Sequence, residues 1–315
     1  MRLTIGVLAA FLLTGCDPAP QTVAANGADS LTVSGFAVSR DVYEKGLLPA
    51  FEKTHPGLQV HQSYDGSGAQ ARAIVGGGDS DVAALAMAPE IASLQKAGRV
   101  DKGWTEAEGV PAASVVVIAV RPGNPKGIKD FSDLEKPGVQ VVSPNPDTSG
   151  AARWNILAVY GAAQRSGRDP AQAVTSLRKN IVAYGKSGRE AMKQFASGVG
   201  DALLTWENEA LLRKEGGTEL EIVYPAETLR MAPPVAPVGK KGAAPSEVAT
   251  AFVEFLKTPD AQKIYAKYHY RSADASAGGE FPTVKTFDVK EIGGWEKVGK
   301  EVFGPEGVWA RAVHG

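Results

Sequence analysis

Apolar and polar positions follow two different rhythms along the chain. From residue 31 onward, short apolar runs typical of buried strands are separated by stretches whose apolar positions recur with helical spacing. The short runs predict strands at residues 31–38, 58–63, 81–86, 114–120, 139–143, 201–206 and 220–224. The periodic stretches predict helices at residues 40–53, 68–75, 89–96, 151–163, 170–179, 189–196, 245–256 and 259–267. Such alternation indicates an α/β protein with largely parallel sheets.

The chain is long enough for about two domains, because it has 315 residues. Its proline content rises between residues 223 and 238, at Pro225, Pro233, Pro234 and Pro237. A segment of this kind is typical of a crossing between domains. A net charge of −1 argues against a nucleic-acid surface or a polybasic membrane patch.

The N-terminus carries a separate signal. Arg2 precedes an apolar run at residues 3–13, which is too short to span a bilayer but suits a signal peptide. The residues Leu-Thr-Gly before Cys16 resemble a bacterial lipobox, in which the chain is cut before the cysteine and its sulfur is lipidated. We expect a signal peptide at 1–15 and a flexible tether at 16–29 that starts at lipidated Cys16; a signal peptide with a chance cysteine is the alternative.

Asp17 indicates where such a lipoprotein would reside. An aspartate directly after the lipidated cysteine resembles an inner-membrane retention signal of Gram-negative lipoproteins. We therefore expect the mature chain on the periplasmic side of the cytoplasmic membrane, anchored by its N-terminal lipid.

Three predicted helices begin with the same pair of residues. Ser67-Gly68, Ser149-Gly150 and Ser187-Gly188 each end a turn-like stretch and start a helical pattern, and Gln70 and Glu190 stand at capping-box spacing. A helix start has unpaired N–H groups and a partial positive charge. A serine can cap one of these N–H groups with its hydroxyl, and a glycine lets another group approach the backbone closely. The pairs predict a small-anion site, with well-capped helices that bind nothing as the alternative.

Several longer motifs together resemble one known family. They are SYDGSGAQ (63–70), DVAALA (81–86), VRPGNPKGIKDFSDL (120–134), PNPDTSGAARWN (144–155), GDALLTWENEALL (200–212), FVEFLKTPDAQKIYAKYHYR (252–271) and GGW (293–295). In this order they are similar to the bacterial sulfate-binding proteins of ABC importers, from about residue 31 to about residue 307. The resemblance implies the two-lobed periplasmic binding protein fold (type II), an α/β fold in which each lobe is a mostly parallel sheet flanked by helices, with two hinge crossovers.

The resemblance also implies a division of the chain. Lobe one would comprise residues 30–112 and about 230–315, and lobe two residues 113–229, with hinges near 112–120 and 224–237. Ligand would close the lobes, and the closed monomer would dock on permease subunits in the inner membrane.

The ligand donors of the family can be carried over by motif. In the family, sulfate is held between the lobes by backbone N–H groups, a serine hydroxyl and a Trp indole. In this chain the corresponding positions are Ala37, Ser67, Ser149, Gly150, Ala151, Gly188 and Trp206. Near neutral pH sulfate has no proton and only accepts hydrogen bonds, so donors alone suit it. A buried carboxylate would instead favour phosphate, which keeps a proton to donate.

Two residues depart from the family pattern. Ala37 stands where the family usually has an aspartate, but the donor there is a backbone group. Asp65 stands where the family usually has a glycine: directed into the cleft it would repel sulfate and favour phosphate, and directed outward it would be a turn residue before Gly66. We expect the outward orientation. Sulfate, thiosulfate and phosphate stay open as ligands, as does a ligand-sensing lipoprotein not coupled to transport.

Other chemistry has little support in the sequence. The four histidines lack metal-ligand spacing, and Ser67 lacks a hydrolase G-x-S-x-G elbow because Asp65 occupies its first position. A phosphate loop before Lys186 would need a glycine where Asn180 stands. Cys16 is the single cysteine, so the mature chain has no internal disulfide. We expect a binding protein rather than an enzyme, with no catalytic residues, cofactor, metal or nucleic acid.

Overall fold

A computed structural model describes residues 30–105, 109–272 and 278–314. The signal peptide, lipidated Cys16 and tether expected at residues 1–29 lie outside the described residues. The strands are β1 (Ser30–Phe36), β2 (Gln59–Asp65), β3 (Val82–Ala84), β4 (Ala112–Val120), β5 (Val141–Pro144), β6 (Ile181–Gly185), β7 (Ala202–Trp206), β8 (Glu221–Val223), β9 (Glu227–Met231), β10 (Val235–Pro237), β11 (Arg271–Ser272) and β12 (Lys285–Phe287). The helices are α1 (Arg40–Val42), α2 (Leu48–Glu52), α3 (Ser67–Val75), α4 (Ala88–Lys96), α5 (Gly150–Arg165), α6 (Pro170–Asn180), α7 (Gly188–Ala196), α8 (Glu207–Glu215), α9 (Glu247–Phe255), α10 (Pro259–Lys267), α11 (Gly294–Glu301) and α12 (Val308–His314).

The smaller sheet has four strands in the order β10-β3-β1-β2. β1 pairs in parallel with β2 and β3, while β10 joins antiparallel to β3. Leu31 and Val33 of β1 are fully buried, because Phe51 of α2 and Phe252 of α9 pack with them in one core. Helices α3 and α4 contribute Ile74 and other apolar side chains to a second core with β3. We call this sheet and its helices lobe one.

The larger sheet has the order β12-β9-β4-β7-β5-β6, and β8 and β11 also pair with β4. All nine residues of β4 are buried, as its uninterrupted apolar sequence indicates. The sheet is mixed, because β5 runs parallel to β6 and β7 whereas β4 runs antiparallel to β7, β8 and β9. We call this sheet and its helices lobe two.

The residues after 284 pack on lobe two. β12 pairs in parallel with β9, and a side chain at Gly161 of α5 would overlap the Phe287 ring. Trp295 makes an edge-on contact with Trp154 of α5, with ring centroids 4.9 Å apart. This placement differs from the expected division, which put all of residues 230–315 in lobe one. The strand pairing and the aromatic contacts are the physical reason.

The chain returns to lobe one where prolines cluster. β9 belongs to the larger sheet and β10 to the smaller one, so the crossing falls at residues 232–234, which are Ala-Pro-Pro. Residues 112–120, expected near the first hinge, form the buried strand β4, which includes the strand predicted at 114–120. The described chain then passes once more from α10 in lobe one to β11 and β12 in lobe two, a crossing that the sequence did not predict.

The predicted strands and helices are present, with ends shifted by a few residues. Residues 40–52 are one helical run whose middle, Tyr43–Leu47, is a π-helix. β6, α8, β9 to β12, α11 and α12 were not predicted. Within the described ranges, every helix falls short of the length or the apolar character that a membrane span requires.

Candidate anion-binding site

Helix α5 begins at the boundary between the lobes. Ser149 precedes it in extended conformation, is buried, and does not cap the helix with its side chain. An added Cβ at Gly150 would lie 2.8 Å from the Cβ of Ala86 and 3.1 Å from Oε1 of Glu90, both in lobe one. Glycine is therefore needed for α5 to approach lobe one this closely. Ala151, the next residue, is buried in the same core as Ala86.

Helix α7 begins beside α5. Ser187 caps it, since its Oγ accepts a hydrogen bond from the Glu190 N–H at 3.3 Å, so this predicted cap is confirmed. An added Cβ at Gly188 would lie 2.8 Å from Cγ2 of Val38 in lobe one and 3.6 Å from the Cβ of Ala151. The backbone at Gly188 is thus where α7 meets both the start of α5 and the turn after β1.

Helix α3 holds Ser67 in a way that the sequence did not predict. The N-cap is Gly66 and Ser67 is the first helical residue, so the prediction that Ser67 caps α3 is wrong. The reason is that its hydroxyl is held from elsewhere: Oγ accepts from the Ala86 N–H at 2.7 Å, and the hydroxyl donates to the Glu90 carboxylate. A side chain at Gly66 would overlap the Thr148 carbonyl of lobe two, so α3 also begins at the boundary between the lobes.

Trp206 ends β7 and supplies a buried donor. It is 1% exposed, and its ring centroid lies 5.3 Å from that of Phe36 in lobe one. Among the residues that the structure describes, none accepts a hydrogen bond from its Nε1. The Trp154 Nε1, by contrast, donates to the Ala86 carbonyl at 2.7 Å. A buried donor without an acceptor costs about 1–3 kcal/mol, and the Trp206 N–H is available to a bound acceptor.

Ala37 begins the 3-10 turn Ala37–Ser39 that follows β1. It is half-buried and lines one groove together with Ser187 and Arg189 of lobe two. In the sequence it stands between Phe36, which packs on Trp206, and Val38, which contacts Gly188. Ala37 therefore lies on the lobe-one side of the same cleft.

Four charged residues join the lobes at the edge of this cleft. Asp41 of lobe one pairs with Arg189 at 2.8 Å and with Arg213, and Glu209 accepts from Arg189 at 3.2 Å. Burial opposes the ionisation of Asp41, but Lys45, Arg189 and Arg213 outweigh it and lower its pKa to about 2. Burial raises the pKa of Glu209 against the pull of the two arginines. The cluster connects the two lobes, and no local sequence pattern predicted it.

Asp65 lines the groove that Ala37 also lines, and its carboxylate is held in its own turn. The residue is exposed, and its Oδ1 accepts a hydrogen bond from the Gly66 N–H at 2.7 Å. The carboxylate is thus used within its own turn, as is common for aspartate.

Glu90 is a site residue that sequence reasoning missed. It is 9% exposed, and its Oε2 accepts from the Met87 N–H at 3.0 Å and from the Ser67 hydroxyl. Burial raises its pKa to about 7, against the opposing hydrogen bonds from Ser67 and Met87. In the sequence, Glu90 is an ordinary acidic residue in the first turn of α4, and its contact with a serine 23 positions earlier leaves no local signal.

These contacts bring the predicted positions together. Ala86 and Glu90 contact both Ser67 and the start of α5, and Val38 joins the start of α7 to lobe one. The starts of three helices therefore meet between the lobes, with Trp206 packed on the adjoining strand end at Phe36. Helix N-termini and an indole N–H offer donors to a small anion and need no cofactor to do so.

The fold and this cleft are those of a solute-binding protein. The family model of the bacterial extracellular solute-binding proteins matches residues 31–271, and the chain belongs to this family. It is 39% identical to a sulfate-binding protein from Synechococcus elongatus, over 89% of this chain and 85% of the relative. It is 38% identical to a sulfate-binding protein from Escherichia coli, over 96% of this chain and 97% of the relative.

A solved structure supports the same family. The sulfate-binding protein SubI from Mycobacterium tuberculosis superimposes with a TM-score of 0.81 at 36% identity, over 87% of this chain and 99% of its own. Thiosulfate-binding proteins are relatives as well, and the one from Pseudomonas aeruginosa is 36% identical over 91% of this chain and 92% of the relative. The two-lobed periplasmic binding protein fold expected from the sequence is confirmed.

Proposed function

We propose that this protein captures sulfate between its two lobes and delivers it to an ABC permease. The observation that carries the proposal is the Trp206 N–H, a buried donor left without an acceptor among the described residues. Its ring packs on Phe36, one residue before Ala37 and two before Val38, which contacts the start of α7, and the starts of α3, α5 and α7 offer further N–H donors. Relatives named sulfate-binding proteins, similar over nearly the whole chain, add support. Binding of this kind involves no covalent chemistry.

The proposed ligand positions are the seven carried over by motif. Ser149 and Trp206 would donate through side chains, and Ala37, Ser67, Gly150, Ala151 and Gly188 through backbone N–H groups. Spreading a dianion over several helix starts leaves no need for a lysine or arginine opposite the ligand. Arg189 directly follows Gly188 in the sequence, but its guanidinium is paired with Asp41 and Glu209.

Phosphate is a second candidate ligand, and Glu90 is the observation that favours it. An ionised carboxylate at this place could accept the proton of hydrogen phosphate, which sulfate lacks. Thiosulfate is a third candidate, because thiosulfate-binding proteins are among the relatives.

A thermal-shift screen tests the proposal. Sulfate, thiosulfate and phosphate are each added as sodium salts to the mature chain, with sodium chloride at matched ionic strength as the control. A ligand that binds the folded state alone raises its melting temperature by mass action. We expect sulfate to give the largest rise; no rise with any of the three anions would contradict the proposal.

We further propose that Cys16 carries a lipid that anchors the protein on the periplasmic side of the cytoplasmic membrane. The supporting motif is Leu-Thr-Gly-Cys after an apolar run. Metabolic labelling with a radioactive fatty acid should label the parent protein and leave Cys16→Ser unlabelled. Label retained in that variant would exclude lipidation at Cys16.

A further inference from the structure

The turn from β7 into α8 joins Trp206 to a buried acid. Trp206 is the last residue of β7 and stands at the N-cap of α8 in extended conformation, but its side chain does not cap the helix. Glu207, the first residue of α8, is fully buried. The two residues share one planar peptide unit, so a group that holds Glu207 also restricts the backbone from which the Trp206 indole projects.

Arg271 holds Glu207 by both carboxylate oxygens. Its Nε donates to Oε2 at 2.7 Å, and its Nη2 donates to Oε1 at 2.9 Å. Two parallel hydrogen bonds between a guanidinium and a carboxylate fix the orientation of the two groups as well as their distance. The pair also places an opposite charge beside a buried carboxylate, which would be costly to bury alone.

Arg271 is itself held in place by its surroundings. It begins β11, which pairs with the start of β4, and Trp206 pairs with Val116 of the same strand β4. The Arg271 Nη2 also donates to the Pro282 carbonyl at 3.1 Å, and the centroid of the Phe281 ring lies 5.0 Å from the guanidinium carbon. The arginine is therefore a fixed support for the turn rather than a freely rotating surface side chain.

Two weaker contacts also support this turn. The Asn208 N–H donates to Ser114 Oγ of β4 at 3.4 Å. Tyr224 forms a hydrogen bond with Glu207, and burial together with this carboxylate raises the pKa of the Tyr224 hydroxyl. Each of these contacts is a single hydrogen bond, whereas Arg271 supplies two hydrogen bonds and the opposite charge. Arg271 is therefore the main support of the Glu207 carboxylate.

The Trp206 indole needs such support because its ring contact does not fix the direction of its N–H. The ring lies against Phe36 with centroids 5.3 Å apart and an interplanar angle of 52°, which is an apolar contact. Within the described ranges no acceptor holds the Trp206 Nε1. A hydrogen bond weakens steeply when its angle is lost, so the donor must be aimed by the backbone of the turn.

We propose that Arg271 is a positioning residue for anion binding: by holding Glu207, it fixes the backbone of Trp206 so that the indole N–H points at the ligand. The inference rests on the proposed function, because it takes the Trp206 N–H as a ligand donor. Arg271 directly follows Tyr270, which packs in the core of lobe one. The pair therefore ties this donor to the point where the chain crosses from lobe one to lobe two.

Sulfate titration of Arg271 variants by calorimetry tests the inference. Arg271→Gln should bind sulfate about tenfold more weakly, the low end for losing a hydrogen bond to a charged group. Arg271→Lys keeps the charge but not the paired hydrogen bonds, so its affinity should lie between those of the parent and Arg271→Gln. The matched control is Arg165→Gln, which breaks the similarly exposed ion pair of Arg165 with Glu227 at the far end of α5 and should leave the affinity unchanged.

Two further readouts distinguish positioning from a general loss of structure. The double variant Trp206→Phe/Arg271→Gln should bind sulfate as Trp206→Phe does, because the effect of Arg271 passes through the indole. Among the five indole N–H signals in a nitrogen-15 NMR spectrum, that of Trp206 is assigned by its loss in Trp206→Phe. Without ligand it should shift in Arg271→Gln, while that of Trp154, which donates to the Ala86 carbonyl, should stay in place.

The outcomes separate the inference from the proposed function. Arg271→Gln and Arg271→Lys that both bind sulfate as the parent does overturn the inference and leave the proposed function standing. A further loss of affinity in the double variant also overturns it, because Arg271 would then act on the site by another route. A parent that binds no sulfate overturns both.

A variant with an uncharged partner keeps the test decisive if Arg271→Gln fails to fold. Glu207→Gln keeps the shape of the buried side chain but removes its charge and one of the acceptors of Arg271. It should weaken sulfate binding in the same direction as Arg271→Lys. Parent-like affinity in both Glu207→Gln and Arg271→Lys overturns the inference.

Discussion

The substitution Trp206→Phe removes a single donor from the proposed site and keeps an aromatic ring on Phe36. The indole is 1% exposed, and its Nε1 has no acceptor within the described part of the chain. In the free protein the substitution therefore removes a polar atom that contributes no hydrogen bond to folding. In the complex it removes a hydrogen bond to a dianion.

The expected magnitude follows from the charge on the ligand. A hydrogen bond to a charged group contributes about 1.5–3 kcal/mol, and about 1.4 kcal/mol corresponds to a tenfold change in affinity. Sulfate should bind Trp206→Phe about 10- to 150-fold more weakly. At a sulfate concentration 100 times the parent dissociation constant, ligand stabilises the parent by about 2.7 kcal/mol. A 100-fold weaker variant would gain only about 0.4 kcal/mol at the same concentration.

Calorimetry gives the affinity, and thermal unfolding with and without sulfate gives the stabilisation. The control is the substitution Trp309→Phe. Trp309 is another buried indole, which lies on α12 and packs near Tyr184 of β6. This control should bind sulfate as the parent does. If Trp206→Phe binds sulfate as tightly as the control, the indole does not contact the ligand and the site has been misplaced.

Three further predictions concern other residues of the cleft. Ser149→Ala should weaken sulfate binding by about 1–3 kcal/mol, because it removes a hydroxyl that does not cap its own helix; unchanged affinity by calorimetry would exclude a ligand contact. Asp65→Gly should change sulfate affinity by less than about tenfold, or about 1.4 kcal/mol, because the carboxylate bonds to the Gly66 N–H; a switch of preference from phosphate to sulfate in this variant would contradict the outward orientation. Asp41→Asn should lower the free energy of unfolding at pH 7 by about 2 kcal/mol, because the folded pKa of about 2 lies below the ordinary value of 3.8. This stabilisation is present above pH 4 and is lost as the pH falls through about 2, so urea unfolding should show parent and variant converging at low pH; a difference that stays constant with pH would contradict the role of the ion pairs.

The helix starts of the site could be predicted because their signals are local. A turn, a Ser-Gly pair and a helical pattern stand next to one another in the sequence at positions 149–150 and 187–188. The assignment of Trp206 came from the family motif around it, since a tryptophan at the end of a strand is equally compatible with core packing.

The interactions between distant segments could not be predicted in this way. Asp41 and Arg189 belong to different lobes, and Glu90 in the first turn of α4 meets Ser67 at the start of α3. Whether such side chains meet depends on how the two sheets are placed, which no local pattern encodes.

The strands β9 and β10 were missed for a different reason. The four prolines between residues 223 and 238 suggested an irregular connection. Proline is compatible with a strand at its ends, and Pro237 is the last residue of β10, an edge strand of the smaller sheet. Pro233 and Pro234 do fall at the crossing between the lobes. The proline-rich segment therefore predicts where the chain crosses, but it is longer than the crossing itself.

The affinities of the protein for three oxyanions decide between the ligands. Sulfate, thiosulfate and phosphate are titrated separately by calorimetry at pH 6 and pH 8, on the parent chain. We predict one bound sulfate per chain, with higher affinity for sulfate than for either other anion at both pH values. Tighter binding of phosphate than of sulfate, or no binding of sulfate, would contradict the proposed donor site for a proton-free dianion.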